Sequence, residues 1–457
     1  MTLPCCSAPL LPCCIDQLNL VVSQTFTAVL RKRELVFDHR MKVLFLTPYF
    51  PPELGAPQSR IYELAVRLVK MGHKVSVLTT FPNYPSGVVP KEWRGLFFWE
   101  GIDQGIHVYR IWSYAVPNKG FFKRILGQLS FAFFASCAAP LLPGYEAIIV
   151  ESPPLFDGLA GLVLGWLKRA PYLFTVSDLW PESAIQMGML KNPVLIWLSK
   201  QLEMLLYRRA AVVLAVTEGI RKAIISEGIN SHKVVLFRSA VDSQFFLPEM
   251  DGAETRRTLG IVPQDFLVLY AGTLGMAHNL SVILEAAALF QGEGNKRIRF
   301  VLAGDGAEKE MLKKKAHVLR LNNLKFLDPI PKARMPFLLN AADCVVVSVR
   351  DLEIFRGALP TKLFEAMSCA KPVALAVAGE AEEVVRNAGA GYCVTPDDPV
   401  GIHNAVLGIA QDPEKAANMG KNGRECVIQH FSRDRRAQEL NDCLLRLAPE
   451  NGERDSR

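Results

Sequence analysis

The sequence has little that would bind a metal or a nucleic acid. Its eight histidines and ten cysteines include no CxxC pair and no Cys–His spacing of the zinc type. The cysteines are scattered or doubled (Cys5-Cys6, Cys13-Cys14), which fits reduced thiols in a cytosolic compartment. No Lys/Arg run accompanies the net charge of +7, so no nucleic-acid partner is expected. A secretory signal is also missing. Residues 1–40 lack its basic start, and Pro, Asp and Gln interrupt their apolar pieces. They read as a loose extension or a mis-assigned start.

What is present is globular. Half of the residues are hydrophobic and 21% are charged, and 457 residues exceed one ordinary core. From Met41, short apolar runs alternate with helical periodicity. Strands are expected at 42–47, 74–79, 106–111, 146–151, 172–176 and 211–216, and a helix at 59–71. A second series adds strands at 266–270, 298–303, 323–327, 344–348, 373–377 and 391–394. Its helices are expected at 280–290, 308–319 and 335–339. Such alternation implies an α/β fold of two Rossmann-like halves, each a doubly wound parallel sheet. The expected boundaries are 1–40 (extension), 41–245, 246–435, and a C-terminal helix with tail at 436–457.

Residues 125–142 stand out, with no charge in eighteen positions behind the basic Lys119, Lys123 and Arg124. A spanning helix needs about twenty apolar residues, and Gly127, Gln128, two serines and Pro140 weaken that reading. A buried crossover helix and a helix lying in the membrane interface are the other two.

The most informative stretch is 359–373, LPTKLFEAMSCAKPV. Pro360 suits a helix start, and Leu363, Phe364 and Met367 form an apolar face. That pattern does not need Lys362 and Glu365. A cation near a helix N-terminus opposes the dipole, whereas the free amides there suit an anion. A carboxylate one turn in can accept both hydroxyls of a ribose. A capped surface helix with solvated Lys and Glu explains the same residues. The glycine turns YAGTLG (270–275) and AGDG (303–306) follow strands of the same half, so by topology they converge with Lys362 and Glu365 on one crevice at the strands' carboxyl ends.

Taken in order, these pieces resemble the family-four retaining glycosyltransferases of GT-B architecture. The resemblance rests on TPYFPPELGAPQSR (47–60), MGHKVSVLTTFPNYPSG (71–87), ESPPLFDGLAG (151–161), VSDLWPES (176–183), the two glycine turns, 359–373, and HFSRD (430–434). It covers residues 41–447 and points to the branch that builds bacterial surface polysaccharides. It implies a nucleotide-sugar donor, UDP-linked by preference, in the C-terminal half, with no further cofactor and no metal. The saccharide acceptor, lipid-linked by expectation, falls to the N-terminal half. The implied donor set is Gly272, Thr273, Gly275, Gly306, Arg356, Thr361, Lys362 and Glu365, with Glu365 on the ribose and Lys362 on the diphosphate. Gly55, Asp178 and Glu182 are implied on the acceptor side of the cleft. The implied catalytic residues are Asp178, Lys362 and Glu365. For Asp178 and Glu182 a helix cap and a first-turn acid remain open.

Three positions depart from the family pattern. Gly357 replaces a sugar-contacting glutamate, for which Glu353 or Arg356 could substitute. His278-Asn279 replaces a Lys-Gly, and Ser239-Ala240 replaces an Asn-Gly at the domain junction. The expected protein is a cytoplasmic glycosyltransferase, peripheral at the inner membrane face through residues 119–142. A non-catalytic nucleotide-sugar subunit and a UDP-sugar epimerase are the alternatives.

Overall fold

A computed structural model divides the chain into Met1–Arg40 and Met41–Arg457. It describes residues 40–447 apart from Leu54, Pro85, 117–120 and Met187. The expectations for the N-terminal extension, for Lys119 and for the tail beyond 447 therefore lie outside the described residues.

In the first half the apolar runs form eight strands. They are β1 (Lys42–Leu46), β2 (Lys74–Thr80), β3 (Phe98–Asp103), β4 (Ile106–Ile111), β5 (Ala147–Ser152), β6 (Tyr172–Val176), β7 (Val212–Ala215) and β8 (Val234–Leu236). Their order is β3-β4-β2-β1-β5-β6-β7-β8. Runs such as YLFTV are buried throughout, as strands covered by helices on both faces must be. β3 was not expected from sequence. Its FWEGID is largely exposed and pairs antiparallel on β4 at the sheet edge, where charge blunts further pairing.

The helices of this half are α1 (Ala56–Lys70), α2 (Phe121–Cys137), α3 (Asp157–Lys168), α4 (Glu182–Gln186), α5 (Pro193–Arg209) and α6 (Glu218–Ser226). Phe131 of α2, Leu164 of α3 and Leu206 of α5 share one core with Phe174 of the sheet, so these three helices form one layer. α1 covers the opposite face through Ile61, Leu64 and Leu68. The stretch 125–142 is thus neither wholly buried nor a span. Phe131 is 1% exposed but Phe133 is 62% exposed, and no described helix is long and apolar enough to cross a membrane.

The second sheet has order β11-β10-β9-β12-β13-β14, built from β9 (Phe266–Ala271), β10 (Ile298–Ala303), β11 (Leu324–Leu327), β12 (Cys344–Ser348), β13 (Val373–Ala376) and β14 (Gly391–Cys393). Every pairing is parallel. Its helices are α7 (Ala253–Leu259), α8 (Ser281–Gly292), α9 (Lys309–Val318), α10 (Met335–Ala341), α11 (Thr361–Ser368), α12 (Glu380–Ala388), α13 (Pro399–Gln411), α14 (Pro413–His430) and α15 (Arg433–Leu447). α15 returns to the first half, where Ala437, Leu440 and Leu444 join the core of α1. The order reverses at β1 in one sheet and between β9 and β12 in the other. Crevices for ligands open at such switch points, outside the strands' carboxyl ends.

Candidate functional site

Two cavities occupy the cleft. The first, of about 400 Å³, gathers Gly272 and Thr273 after β9, Thr361, Lys362 and Glu365 at the start of α11, and Gly55 before α1. The second, of about 760 Å³, takes in Asp178, Glu182 and Arg356. His278 and Pro360 belong to the walls of both. Six of the residues read from sequence therefore converge on the smaller space. Asp178 and Glu182 converge with Arg356 on the larger one, away from the rest of the expected donor set.

α11 can begin where it does because Pro360 lacks an N–H to satisfy. Leu363, Phe364 and Met367 then anchor it in the core, leaving Lys362 and Glu365 toward the cleft. The Lys362 ammonium donates to Tyr270 Oη at 2.5 Å and lies 4.2 Å from that ring's centre. Burial pulls its pKa down to about 7, with Glu365 opposing the shift. Gly272 is required beside it. Its φ is +145°, and a Cβ there would sit 3.0 Å from Lys362 Nζ. The Tyr270 hydroxyl in turn donates a hydrogen bond to the Thr273 carbonyl at 2.8 Å.

Around Glu365 the structure adds three residues to which the sequence reading gave no role. Lys332 and Arg433 line the same cavity. Glu63 of α1 binds both: Lys332 Nζ donates to one carboxylate oxygen, and Arg433 Nε to the other at 2.8 Å. Burial raises the Glu365 pKa, while Lys332 and Lys362 pull it down. The cavity thus holds a carboxylate among three basic side chains, with one bridging acid from the opposite half. Arg433 lies inside the HFSRD motif, which was its only signal; Glu63 and Lys332 look like solvated charges in sequence.

Gly275 and Gly306 stand apart from both cavities. Gly275 precedes the short turn Met276–His278 in extended backbone. Gly306 lies behind the glycine turn, where a Cβ would meet the Leu274 carbonyl oxygen. Its neighbours tie the turn, since the Leu274 N–H donates to the Asp305 carbonyl at 2.8 Å and the Glu308 N–H to the Leu274 carbonyl at 2.9 Å.

In the larger cavity, burial raises the Asp178 pKa against hydrogen bonds from Ser183 and the Leu179 amide. Glu182 begins α4 and lies 3.5 Å from Lys200. Arg60 faces the same space; its Nη2 donates to Glu151 and, at 2.7 Å, to Ser177 Oγ. Behind them Asp157 is fully buried, and neither of its carboxylate oxygens has a hydrogen-bond partner. Burial, with Glu151 adding to it, raises its pKa well above the usual range.

The departures also acquire geometry. Gly357 abuts the first half, since a Cβ on it would lie 3.3 Å from Thr217 Oγ1 and 3.7 Å from Glu380 Oε1. The Glu380 carboxylate accepts the Glu218 and Gly219 amides at 3.0 and 2.5 Å. Glu353 and Arg356, considered as substitutes, instead pair with each other at 3.3 Å. His278 is held neutral, because burial and the neighbouring Lys362 lower its pKa to about 4; its Nδ1 has no partner. Among the described residues no group of three or more His, Cys, Asp or Glu is placed to hold a metal.

Comparison with known proteins gives the two halves separate matches. The Glycosyl transferase 4-like domain matches residues 55–239, and the family described as Glycosyl transferases group 1 matches 251–426. The chain belongs to the family-four glycosyltransferases of GT-B fold. It is 25% identical over 335 residues to glycosyl transferase WcaI of Escherichia coli (strain K12), named for colanic acid biosynthesis, covering 71% of this chain and 80% of that protein. Glycosyltransferase WbjE of Pseudomonas aeruginosa is 24% identical over 61% of this chain and 69% of its own length. The fold is shared with sucrose-phosphate synthase of Thermosynechococcus elongatus (TM-score 0.71, 18% identity, 89% of this chain and 99% of that one). It is shared also with Anabaena HepE solved with UDP and glucose (TM-score 0.67, 20% identity, 89% and 100%).

Proposed function

We propose that this glycosyltransferase is a retaining enzyme that moves a hexosyl or N-acetylhexosaminyl group from a UDP-sugar to a lipid-linked saccharide in surface-polysaccharide synthesis. One observation carries the reading. Lys362 and Glu365 meet the Gly272 turn at the amide-rich start of α11, in a space closed by Gly55 of the other half. Glu365 would accept the ribose hydroxyls, and the α11 amides with Lys362 would hold the diphosphate. Charge developing on the leaving diphosphate is stabilised most by donors already fixed in place, and Lys362, Lys332 and Arg433 are three such cations. They supply that charge from the protein itself, which supports a reaction without a metal. The donor's own phosphate would take the acceptor proton, and Asp178 would orient the acceptor from the larger cavity. Residues 119–142 would rest on the cytoplasmic membrane face, near a lipid-linked acceptor.

Titration with UDP-, GDP- and ADP-sugars under chelation tests this. Binding of one nucleotide class, lost in Glu365→Ala, is the expected result. A non-catalytic subunit is the second reading, favoured by Gly357 and its contact with Thr217; it predicts binding without hydrolysis or transfer. The epimerase alternative has no support from the family match.

A further inference from the structure

The layer formed by α2, α3 and α5 buries one side of each helix and leaves the other apolar. On α2, Leu126 is 55% and Phe133 62% exposed; on α3, Trp166 is 78% exposed; on α5, Trp197 is 60% exposed. Val163, Leu167, Val194 and Leu198 are exposed on α3 and α5 as well. α3 packs against both of its neighbours, so the exposed sides of the three helices lie side by side. Clustered apolar exposure of this kind on a soluble protein marks an interaction surface.

The charge on this layer is one-sided. Its three helices carry six cations, Lys123, Arg124, Lys168, Lys200, Arg208 and Arg209, against two acids; Lys200 is paired with Glu182 of α4 at 3.5 Å. Of those acids, Asp157 is fully buried, and Glu203 is part-buried and bonded to Tyr207 at 2.7 Å. Apolar and indole side chains bordered by cations match an anionic lipid surface, where indoles settle at the headgroups. A second copy fits worse, because an isologous pairing would set these cations against themselves.

We propose that α2, α3 and α5 together form a docking face for an anionic bilayer, with Trp166 and Trp197 as its anchors. The face extends the contact proposed for residues 119–142 onto two helices that the charge-free stretch does not include. Its position bears on the acceptor. Arg124 and Gln128 of α2 wall a small cavity whose other side is Tyr49, Glu53 and Tyr84, in the loops that follow β1 and β2. These loops lie at the carboxyl ends of the strands, on the cleft side of the sheet. A bilayer on this face would bring a lipid-linked saccharide to the acceptor side of the cleft.

The test is co-sedimentation of the full chain with vesicles, run beside UDP titration so that the donor reading fails or holds separately. Phosphatidylcholine vesicles with about one third phosphatidylglycerol should bind the protein, and phosphatidylcholine alone should bind it far less. Trp166→Ser with Trp197→Ser should weaken that partition roughly tenfold or more. Lys123→Gln with Arg124→Gln should weaken it on the order of tenfold and flatten its salt dependence. All of these side chains are exposed, so the variants should keep the parent's circular dichroism and UDP affinity. Undiminished partition of the tryptophan variant would overturn the proposal. So would light scattering that shows a dimer broken by the same substitutions with no vesicle binding.

Discussion

Lys362 rests on Tyr270, its ammonium 2.5 Å from the phenol oxygen and over the ring. Burial holds its pKa near 7, so at neutral pH the empty cavity carries this lysine partly uncharged. A diphosphate would raise that pKa, and binding would then take up a proton. Above pH 7, UDP affinity should fall by up to about tenfold per pH unit. Calorimetry in two buffers of different ionisation enthalpy checks this; heats independent of the buffer would exclude Lys362 as the group that titrates.

The same residue predicts a trade between stability and binding. The folded pKa lies below the unfolded one, so charging Lys362 costs stability in full below pH 7. That cost is relieved as pH rises from about 7 toward the unfolded value. Lys362→Met should therefore stabilise the empty protein below pH 7, on the order of 1 kcal/mol, while UDP binding is lost. Thermal melts at pH 6 read the first effect and titration the second.

Glu63 should matter for stability more than for chemistry. Removing it leaves Lys332 and Arg433 without their shared carboxylate, and a buried ion pair broken from one side costs about 3–5 kcal/mol. The outward side of Lys332 is partly solvated, so the low end of that range is expected for Glu63→Ala in urea unfolding. A loss below about 0.5 kcal/mol would mean the bridge is solvent-screened.

Asp157 predicts the opposite sign. Its folded pKa is raised by burial, so its penalty is absent at acid pH and grows as pH climbs above the unfolded value. Asp157→Asn should be more stable than the parent at pH 7 and nearly equal at pH 3.5. A variant less stable at pH 7 would show that the carboxyl has a partner in solution.

Restoring the family's glutamate at position 357 should harm this protein. The site abuts Thr217 and the Glu380 carboxylate, so Gly357→Glu adds both bulk and like charge where the halves touch. A larger radius of gyration and weaker UDP binding are expected. Unchanged scattering with stronger binding would restore the missing-contact reading.

Much of the fold was legible because parallel strands buried on both faces are bare apolar runs; β4, β6, β10 and β12 have the bounds expected from sequence. β3 was not, since FWEGID carries two acids and a glycine and pairs at an exposed edge. α5 was missed for a related reason: much of its apolar surface points outward, so it lacks the one-sided pattern of a core helix. Lys362, Glu365 and the Gly272 turn could be read because each breaks a local rule, a cation at a helix start or a glycine after a strand. Glu63, Lys332 and Arg433 break none. They come from three distant segments: the return of α15 onto α1 brings Arg433 to Glu63, and Lys332 reaches it from the turn after β11.

The most direct test of the donor site is calorimetric titration of UDP into the protein with metal chelated, repeated for Glu365→Ala. Micromolar binding is expected, weakened in the variant by roughly 1.5–3 kcal/mol per charged hydrogen bond lost. Equal affinity in both proteins, or no binding of any nucleotide sugar, would contradict it.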